Sequence, residues 1–212
     1  FRRVLFRSVE FLEKVYGVPK SKIDLLVMGG DENLIDRDQR SEIKEKIRTK
    51  YHIPEDAFLI ISGGKIDRAK NIHLLIEACK KINEEGLYLL IFGKIEKDME
   101  DYFTDMKPDK HIINIGWISS NDVYPLYLAS DMAVFPGTHS VLWEQACASG
   151  LPCVCKDWNG GFSHVDVGGN CTLIKEPIES TLYNELTDIV GNTDRFERMR
   201  QVAQLKARRY FS

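Results

Sequence analysis

FLIISGGKIDRAKNIHLLIEACKKI, residues 58–82, is the stretch that decides the fold. It opens with an apolar run that ends at a Gly-Gly pair, which predicts a buried strand over Phe58–Ser62. It closes with apolar residues at helical spacing, which predicts a helix over Ile72–Ile82. A buried strand, a short loop and an amphipathic helix together make one unit of an α/β fold.

The same unit recurs along the rest of the chain. Because the apolar strands alternate with helices, they are expected to form a parallel sheet covered on both faces. The predicted fold class is therefore α/β, a Rossmann-like parallel sheet with helices on both faces. The further strands are predicted at Leu87–Phe92, His111–Ile115, Met132–Phe135, Leu151–Cys155 and Thr172–Ile174, and the further helices at Arg40–Tyr51, Glu96–Met106, after a capping box at Ser119–Asp122, and at Val141–Ser149, Ile178–Val190 and Thr193–Arg209.

Composition excludes several classes of function. The 212 residues are 43% hydrophobic, which is enough for one α/β domain with a sizeable core or two small ones. A net charge of −3 gives no basic excess that would favour nucleic acid as the main partner. No apolar run approaches the roughly 18–20 residues of a membrane span, so no transmembrane segment is predicted.

The cysteines are odd in number and lack the spacing of a disulfide framework, and most of them lie inside apolar runs, so they predict reduced, buried thiols in a cytoplasmic protein. Cys153-Val154-Cys155 would place two thiols on one face of a strand, where a metal or redox site is the less favoured alternative. There is no CxxC and no histidine cluster with ligand spacing, so no metal site is predicted. The five cysteines are Cys79, Cys147, Cys153, Cys155 and Cys171.

Three of the predicted strands are followed by glycine, charged or aromatic residues that could bind a ligand. They lie at the edge where open α/β sheets bind ligands. The first group contains Gly63, Gly64, Lys65 and Lys70. The glycines would let a ligand approach the backbone closely, and the two ammonium groups with nearby amides would suit a diphosphate. A plain turn with solvated lysines fits the same residues, and the chemistry alone favours neither interpretation.

The second group is PGTHSVLWEQ, residues 136–145. A helix is predicted to begin near Ser140, and its free amides and dipole would form an anion site. Glu144, about one turn into this helix, could accept hydrogen bonds from ribose hydroxyls. Taken alone, the segment fits better with an ordinary capped helix that carries a surface glutamate.

The third group is Gly116 and Trp117. A nucleotide base could dock its edge on this backbone with Trp117 alongside, although a tryptophan after a strand more often packs in the core. Neither GxGxxG nor GxxxxGK[ST] occurs in the chain, so the dinucleotide-binding and P-loop fingerprints are absent.

Taken together, these segments resemble the C-terminal half of the GT-B glycosyltransferases, specifically the large retaining family 4 group. The family pattern G-R-L-x-x-x-K-G-h, in which h is hydrophobic, corresponds to GKIDRAKNI at residues 64–72. The resemblance covers roughly residue 12 to the end. The other matching segments are LLIEA at 74–78, INIGWI at 113–118, LYLASDMAVFP at 126–136 and ACASGLP at 146–152.

The resemblance departs from the family at the E-x7-E motif, which reads E-G-F-G-x-P-x-x-E. Residues 137–145 read GTHSVLWEQ, so the first glutamate and its Gly-Phe-Gly are absent. Counting back from Gly150 puts Gln145 at the position of the second glutamate, with Glu144 one residue away. We favour Glu144 as the ribose ligand, because a carboxylate accepts two hydroxyls better than an amide does.

The resemblance implies which residues would touch the substrate. Lys65 and Lys70 stand at the family's Arg and Lys, which bind the diphosphate, and they would stabilise the leaving group. In the family the replaced loop holds the donor sugar, so His139, Ser140 and Val141 are the candidate donor contacts.

The implied function is transfer of a sugar from a UDP- or GDP-linked donor with retention and without a metal or other cofactor. The acceptor is expected to be a glycan or a lipid-linked glycan. The protein is expected in the cytoplasm, with peripheral contact at the inner face of the membrane. Two other interpretations stay open: a UDP-sugar 2-epimerase, and a module that binds a nucleotide or a partner without catalysis.

The chain is expected to be a fragment of a longer protein. Residues 1–8, FRRVLFRS, are typical of a translated cloning scar. Residues 9–40, with a short strand predicted at Asp24–Met28, are interpreted as a linker from a missing N-terminal acceptor domain. Residues 41–212 are the predicted nucleotide-sugar-binding domain.

Overall fold

The computed structural model describes residues 11–23, 27–82, 86–159 and 162–212. Within these residues, six strands form one sheet in the order β3-β2-β1-β4-β5-β6, and every neighbouring pair is parallel. The predicted α/β fold class is confirmed. The strands are β1 Phe58–Gly63, β2 Leu87–Phe92, β3 Ile112–Asn114, β4 Met132–Phe135, β5 Cys153–Lys156 and β6 Cys171–Ile174.

Helices cover both faces of this sheet. On one face, α2 and α6 pack together and bury an apolar cluster against the strands, while α4 and α5 bury the other cluster on the opposite face. Inward-facing residues such as Leu59 and Ile60 are fully buried and alternate between the two clusters. The helices are α1 Arg40–Lys50, α2 Ile72–Ile82, α3 Glu100–Asp105, α4 Val123–Ala129, α5 Leu142–Ala148, α6 Glu179–Gly191, α7 Thr193–Val202 and, after a π-helical turn at Ala203–Ala207, α8 Arg208–Phe211.

Two local features differ from what the sequence predicted, a helix cap and a short strand. The expected capping box does not form at α4, since the Ser119 hydroxyl donates to the Asp122 carboxylate and Asp122 makes no side-chain cap. The predicted strand Asp24–Met28 is absent at Val27 and Met28, and its residues 24–26 lie outside the described residues. Among the described residues, no helix is long and apolar enough to cross a membrane.

A buried arginine ties α1 to the amino-terminal edge of the sheet. The side chain of Arg48 is nearly inaccessible, and its Nη2 donates to Asp131 Oδ2 at 2.8 Å. The same carboxylate oxygen accepts from the Leu59 amide at 2.8 Å. The remaining guanidinium nitrogens donate to four backbone carbonyl oxygens, those of Pro54, Glu55, Ala57 and Ala129.

The sheet order creates one crevice at its carboxyl edge. The chain moves outward from β1 to β3 and then crosses back to place β4 on the other side of β1. Ligands bind at such a switch point, because the loops after the two central strands diverge there. The loops that follow β1 (residues 64–71, the β1 loop) and β4 (residues 136–141, the β4 loop) therefore frame the candidate site.

Candidate functional site

The two loops separate where the pairing of β1 with β4 ends. The paired positions are Ile60 with Met132 and Ile61 with Ala133. One residue further on, the Ser62 hydroxyl donates to the Val134 carbonyl at 2.6 Å and holds the ends of the strands together. This bond fixes the strand ends from which both loops start.

Beyond these strand ends, hydrogen bonds hold the β1 and β4 loops against each other. The Thr138 amide donates to the Ala69 carbonyl at 3.1 Å, and the Asn71 side-chain amide donates to the Pro136 carbonyl at 3.0 Å. Asn71 adopts a left-handed conformation with φ 56°, which asparagine tolerates better than most residues. The predicted diphosphate segments are thus joined into one unit.

The contact between the loops requires glycine at position 137. A Cβ built on Gly137 would lie 2.3 Å from the Ala69 carbonyl oxygen and 2.3 Å from Lys70 Cα. Because these are backbone atoms, they cannot swing aside as a flexible side chain would.

Gly137→Ala is therefore expected to push the loops apart and to lower the free energy of unfolding by about 1–3 kcal/mol, the usual cost of overpacking. Urea unfolding would measure the loss. Gly191→Ala is the matched control, since its Cβ would meet nothing within 4 Å and the substitution should not lower the free energy of unfolding. Equal stability of the two variants would contradict the proposed clash.

The end of the β4 loop presents backbone amides, although α5 begins later than expected. The helix starts at Leu142 with Val141 as its N-cap, rather than at Ser140, and the Ser140 hydroxyl is buried without a hydrogen-bond partner. Within the described residues, the amides of Ser140, Val141 and Leu142 have no acceptor. A helix as short as α5 contributes only a weak dipole, so anion binding here would depend on the amides and nearby lysines.

An open cavity of about 490 Å³ lies beside these loops at the carboxyl edge. Trp117 stands at its wall with 74% of its surface exposed, so it does not pack in the core. Gly116 takes φ 72°, and its carbonyl accepts from the Gly93 amide at 2.7 Å. The cavity is lined by Gly64, Lys65, Phe92, Gly93, Lys94, Trp117, Ile118, Ser119, Ser120, Val123, Val141, Leu142 and Gln145.

The two predicted diphosphate lysines occupy different environments. Lys65 lies at the cavity wall with a side chain that is 63% exposed, and its Nζ is 3.6 Å from Asp67 Oδ2. Lys70 is half-buried, and its Nζ donates to the Thr138 carbonyl at 2.6 Å and to that of His139 at 3.4 Å. An ammonium has three donors, so Lys70 retains one for a ligand. Burial lowers the pKa of Lys70, an effect that the charge of Asp67 partly opposes.

Glu144 does not line the cavity. It is 1% exposed, and its Oε1 is 2.8 Å from His139 Nε2 and 2.9 Å from His164 Nε2. Its Oε2 is buried and has no hydrogen-bond partner among the described residues. The ring of His139 also stacks on Phe162, with centroids 3.9 Å apart and planes 6° apart. The predicted ribose ligand is thus the centre of a buried cluster.

The neighbouring Gln145 takes the position at the cavity wall. Its Nε2 donates to the Tyr124 hydroxyl at 3.3 Å, and no donor among the described residues contacts the side-chain carbonyl. Consecutive residues of a helix point about 100° apart, so only one of the pair can face the cavity. The structure therefore shifts the candidate ribose contact from Glu144 to Gln145.

Hydrogen bonding changes the proton affinity of Glu144. Burial raises the pKa of this carboxyl, but the hydrogen bonds from His139 and His164 and the charge of His139 outweigh burial, so the net pKa lies below the ordinary 4.5. The carboxylate form is thus the one that the fold stabilises.

Glu144→Gln is expected to lower the free energy of unfolding at pH 7 by about 1–3 kcal/mol, because the two hydrogen bonds lose their charged acceptor. Since the folded-state pKa is depressed, the wild-type advantage is complete above about pH 4.5 and is lost as pH falls through the folded-state value. Denaturant unfolding between pH 7 and pH 3 would measure the difference, with the exposed Glu42→Gln as control. A difference that stays constant across this range would contradict the linkage.

The cysteines are free and buried, as the sequence predicted. Cys153 and Cys171 are paired neighbours on β5 and β6, and Cys147 Sγ lies 3.8 Å from Cys153 Sγ. Among the described residues, no group of three or more His, Cys, Asp or Glu side chains is arranged to hold a metal ion.

The structure brings most of the predicted residues to one edge and adds others that sequence patterns did not single out. Phe162 and His164 join His139 and Glu144 from the chain after β5, and Tyr124 supports Gln145 from α4. No local pattern marks these residues, because each contact joins segments about twenty residues apart.

Known proteins share both the sequence pattern and the fold. A family described as "Glycosyl transferases group 1" matches residues 43–206. The chain is 29% identical over 110 residues to the lipopolysaccharide core biosynthesis glycosyltransferase LpsE of Rhizobium meliloti (strain 1021), which covers 50% of this chain and 32% of LpsE.

Two crystal structures are similar across nearly the whole chain. WaaG, a glycosyltransferase involved in lipopolysaccharide biosynthesis, gives a TM-score of 0.73 with 21% identity and covers 94% of this chain and 55% of its own. Anabaena Alr3699/HepE in complex with UDP and glucose gives 0.73 with 19% identity and covers 97% and 57%. This chain therefore spans a third to somewhat over half the length of these relatives.

Proposed function

Because the chain belongs to the glycosyl transferases group 1 family, we propose that it is the donor-binding half of an enzyme that transfers a sugar from a nucleoside diphosphate sugar. The observation that carries the proposal is the cavity at the switch point of the sheet, where Lys65 and unpaired amides of the β4 loop stand at one end. Exposed ammonium and amide donors at the carboxyl edge of a parallel sheet fit an anionic ligand.

Each part of a nucleotide has a candidate partner in this cavity. The base would lie against Trp117, whose exposed ring offers a stacking surface. The Gln145 carbonyl would accept from a ribose hydroxyl. The diphosphate would contact Lys65 and the Val141 amide at the cavity wall, and Lys70 and the Ser140 amide just outside that wall.

The same contacts suit the chemistry of sugar transfer. Cleavage of the bond to the anomeric carbon develops negative charge on the departing diphosphate. Lys65, the remaining donor of Lys70 and the amides would stabilise that charge, as fixed donors do in other transferases. We propose that transfer is metal-independent and proceeds with retention, with UDP or GDP as the leaving group.

The acceptor would bind elsewhere. We propose that residues 9–40 lead from an N-terminal acceptor domain, and that the acceptor is a glycan or a lipid-linked glycan. WaaG and LpsE are named for lipopolysaccharide synthesis, which favours surface-polysaccharide assembly at the cytoplasmic face of a membrane.

A nucleotide panel tests the donor-site proposal. Thermal unfolding of the chain with UDP, GDP, ADP and their monophosphates should show stabilisation by UDP or GDP, because a ligand that binds only the folded state raises its melting temperature. Absence of a shift with every nucleotide would overturn the proposal.

A second assay separates the alternative functions. The longest natural form of the protein would be incubated with labelled nucleotide sugars, with and without lipid-linked acceptors. Acceptor-dependent release of the diphosphate is the expected result. Conversion of the donor to its epimer without acceptor would favour a 2-epimerase, and binding without turnover would favour a non-catalytic module.

A further inference from the structure

The buried cluster formed by Glu144, His139 and His164 has no role in the donor site as described so far. It lies outside the cavity wall, yet His139 belongs to the β4 loop and Glu144 to the first turn of α5. Burying a carboxylate is costly unless hydrogen bonds compensate, so the cluster is a feature to be explained.

We propose that Glu144 is a positioning residue that fixes the β4 loop through His139 and His164, so that the loop can bind the diphosphate of the donor. This inference rests on the proposed function. It assigns to Glu144 a role in orienting the loop in place of the ribose contact expected from the sequence.

Three contacts within the cluster restrict the ring of His139. A carboxylate only accepts hydrogen bonds, so the Nε2 atoms of both His139 and His164 must carry hydrogens to donate to Glu144 Oε1. One face of the His139 ring lies on Phe162, and the ring meets Trp143 edge-on with centroids 5.0 Å apart. With its nitrogen held and its face packed, the ring has one orientation.

Fixing that ring also fixes the backbone that would contact the ligand. The His139 carbonyl accepts from Lys70 Nζ, and the amides of the next two residues have no acceptor in the part of the chain that the structure describes. The β4 loop is therefore held from one side by Lys70 and from the other by Glu144. A shift of the loop would move the amides and the lysine together.

The cluster also connects the β4 loop to the chain after β5. His164 and Phe162 both come from that chain, and each contacts His139 or its carboxylate partner. Neither Phe162 nor His164 lines the cavity. The cluster thus supports the diphosphate end of the site. It does not include Trp117 and Gln145, the residues at the base and ribose end.

This separation allows a direct test by isothermal titration of the chain with a nucleoside and its diphosphate. Uridine and UDP would be used if UDP binds the wild-type protein, and guanosine and GDP if GDP does. Titrations would be run at low temperature, with the folded fraction of every variant checked by circular dichroism. The variants are Glu144→Gln, His139→Ala and His139→Gln, with Gln145→Ala as the control for the ribose end.

The expected result is a loss confined to the diphosphate. Glu144→Gln and His139→Ala should weaken binding of the diphosphate about tenfold and leave the nucleoside within about twofold, where tenfold corresponds to about 1.4 kcal/mol. His139→Gln should recover most of the affinity, because its side-chain amide nitrogen can take the place of Nε2. Gln145→Ala should weaken nucleoside and diphosphate alike.

Three outcomes would count against the inference in distinguishable ways. A wild-type protein that binds no nucleotide would overturn the proposed function and this inference with it. Variants that bind the diphosphate as tightly as wild type would overturn the positioning role and leave the donor site intact. Equal losses for nucleoside and diphosphate, in folded variants, would mean that the cluster supports the fold in general and not the β4 loop. If Glu144→Gln does not fold, the two substitutions at His139 decide the question.

Discussion

Replacing Arg48 with alanine is expected to lower the free energy of unfolding by about 3–5 kcal/mol, the cost of breaking a buried ion pair by removing one partner. Arg48 is 2% exposed and donates to Asp131 and to four backbone carbonyl groups. The variant removes this donor from all four carbonyl groups, of which Pro54 keeps the Ala57 amide at 3.2 Å, and it removes the main partner of the carboxylate. Buried carbonyl groups that lose a donor cost free energy, whereas the Asp131 carboxylate, with 24% of its side chain exposed, keeps the Leu59 amide.

The effect should be visible in both thermal and chemical unfolding. For a chain of this size, each kcal/mol changes the melting temperature by about 2–4 °C, so a decrease of about 6–20 °C is expected. Lys46→Ala, an exposed position on the same helix, is the matched control and should have little effect. Arg48→Lys should recover only part of the loss, because an ammonium cannot reproduce the guanidinium fork. A melting temperature within 2 °C of wild type for Arg48→Ala would refute this account.

Replacing Lys65 with alanine is expected to cause the largest loss of ligand binding. A hydrogen bond to a charged group contributes about 1.5–3 kcal/mol, so affinity for the diphosphate should fall by about 10- to 100-fold. Among the described residues, the exposed ammonium at the cavity wall has only Asp67 as a partner, at 3.6 Å. Its removal would also leave the Asp67 carboxylate uncompensated near the diphosphate.

Thermal unfolding with ligand converts this loss into a measurable shift. At a ligand concentration 100 times the wild-type Kd, binding stabilises the fold by about 2.7 kcal/mol, and a 100-fold weaker variant retains about 0.4 kcal/mol. Without ligand, Lys65→Ala should unfold like wild type, because the side chain is largely exposed.

Two further substitutions define the comparison. Lys97→Ala, an exposed lysine outside the cavity wall, should retain the full shift. Lys70→Ala should lose the shift and also some stability without ligand, because Lys70 binds two carbonyls of the β4 loop. A full ligand shift in Lys65→Ala would identify this lysine as a solvated turn residue.

Most of the fold could be predicted because its determinants are local. A buried strand such as Leu87–Phe92 is a continuous apolar run, and the α2 helix repeats apolar residues every three or four positions. The predicted bounds of these two elements match the structure. Helix ends were less predictable, since α5 begins at Leu142 and α4 lacks its expected cap. Several polar groups near a helix end can cap its free amides, and the path of the backbone decides which of them does so.

The candidate site could be predicted only in part. The residues after β1, β3 and β4 were identified because they interrupt apolar strands with glycine, lysine and tryptophan. The choice between Glu144 and Gln145 could not be made from residue chemistry alone. It depends on which helical direction faces the cavity, and the carboxylate, the better acceptor in isolation, is directed toward His139 and His164.

The sequence by itself determined the α/β class, the family and the edge of the sheet at which the candidate binding residues lie. Those properties follow from the spacing of apolar residues and the order of the motifs, both of which are local features of the sequence. Only the tertiary structure decided how far Arg48 is buried, how the environments of Lys65 and Lys70 differ, and which residues contact Glu144. Burial and hydrogen bonding depend on segments far apart in sequence, and their energies are set only when the sheet brings those segments together.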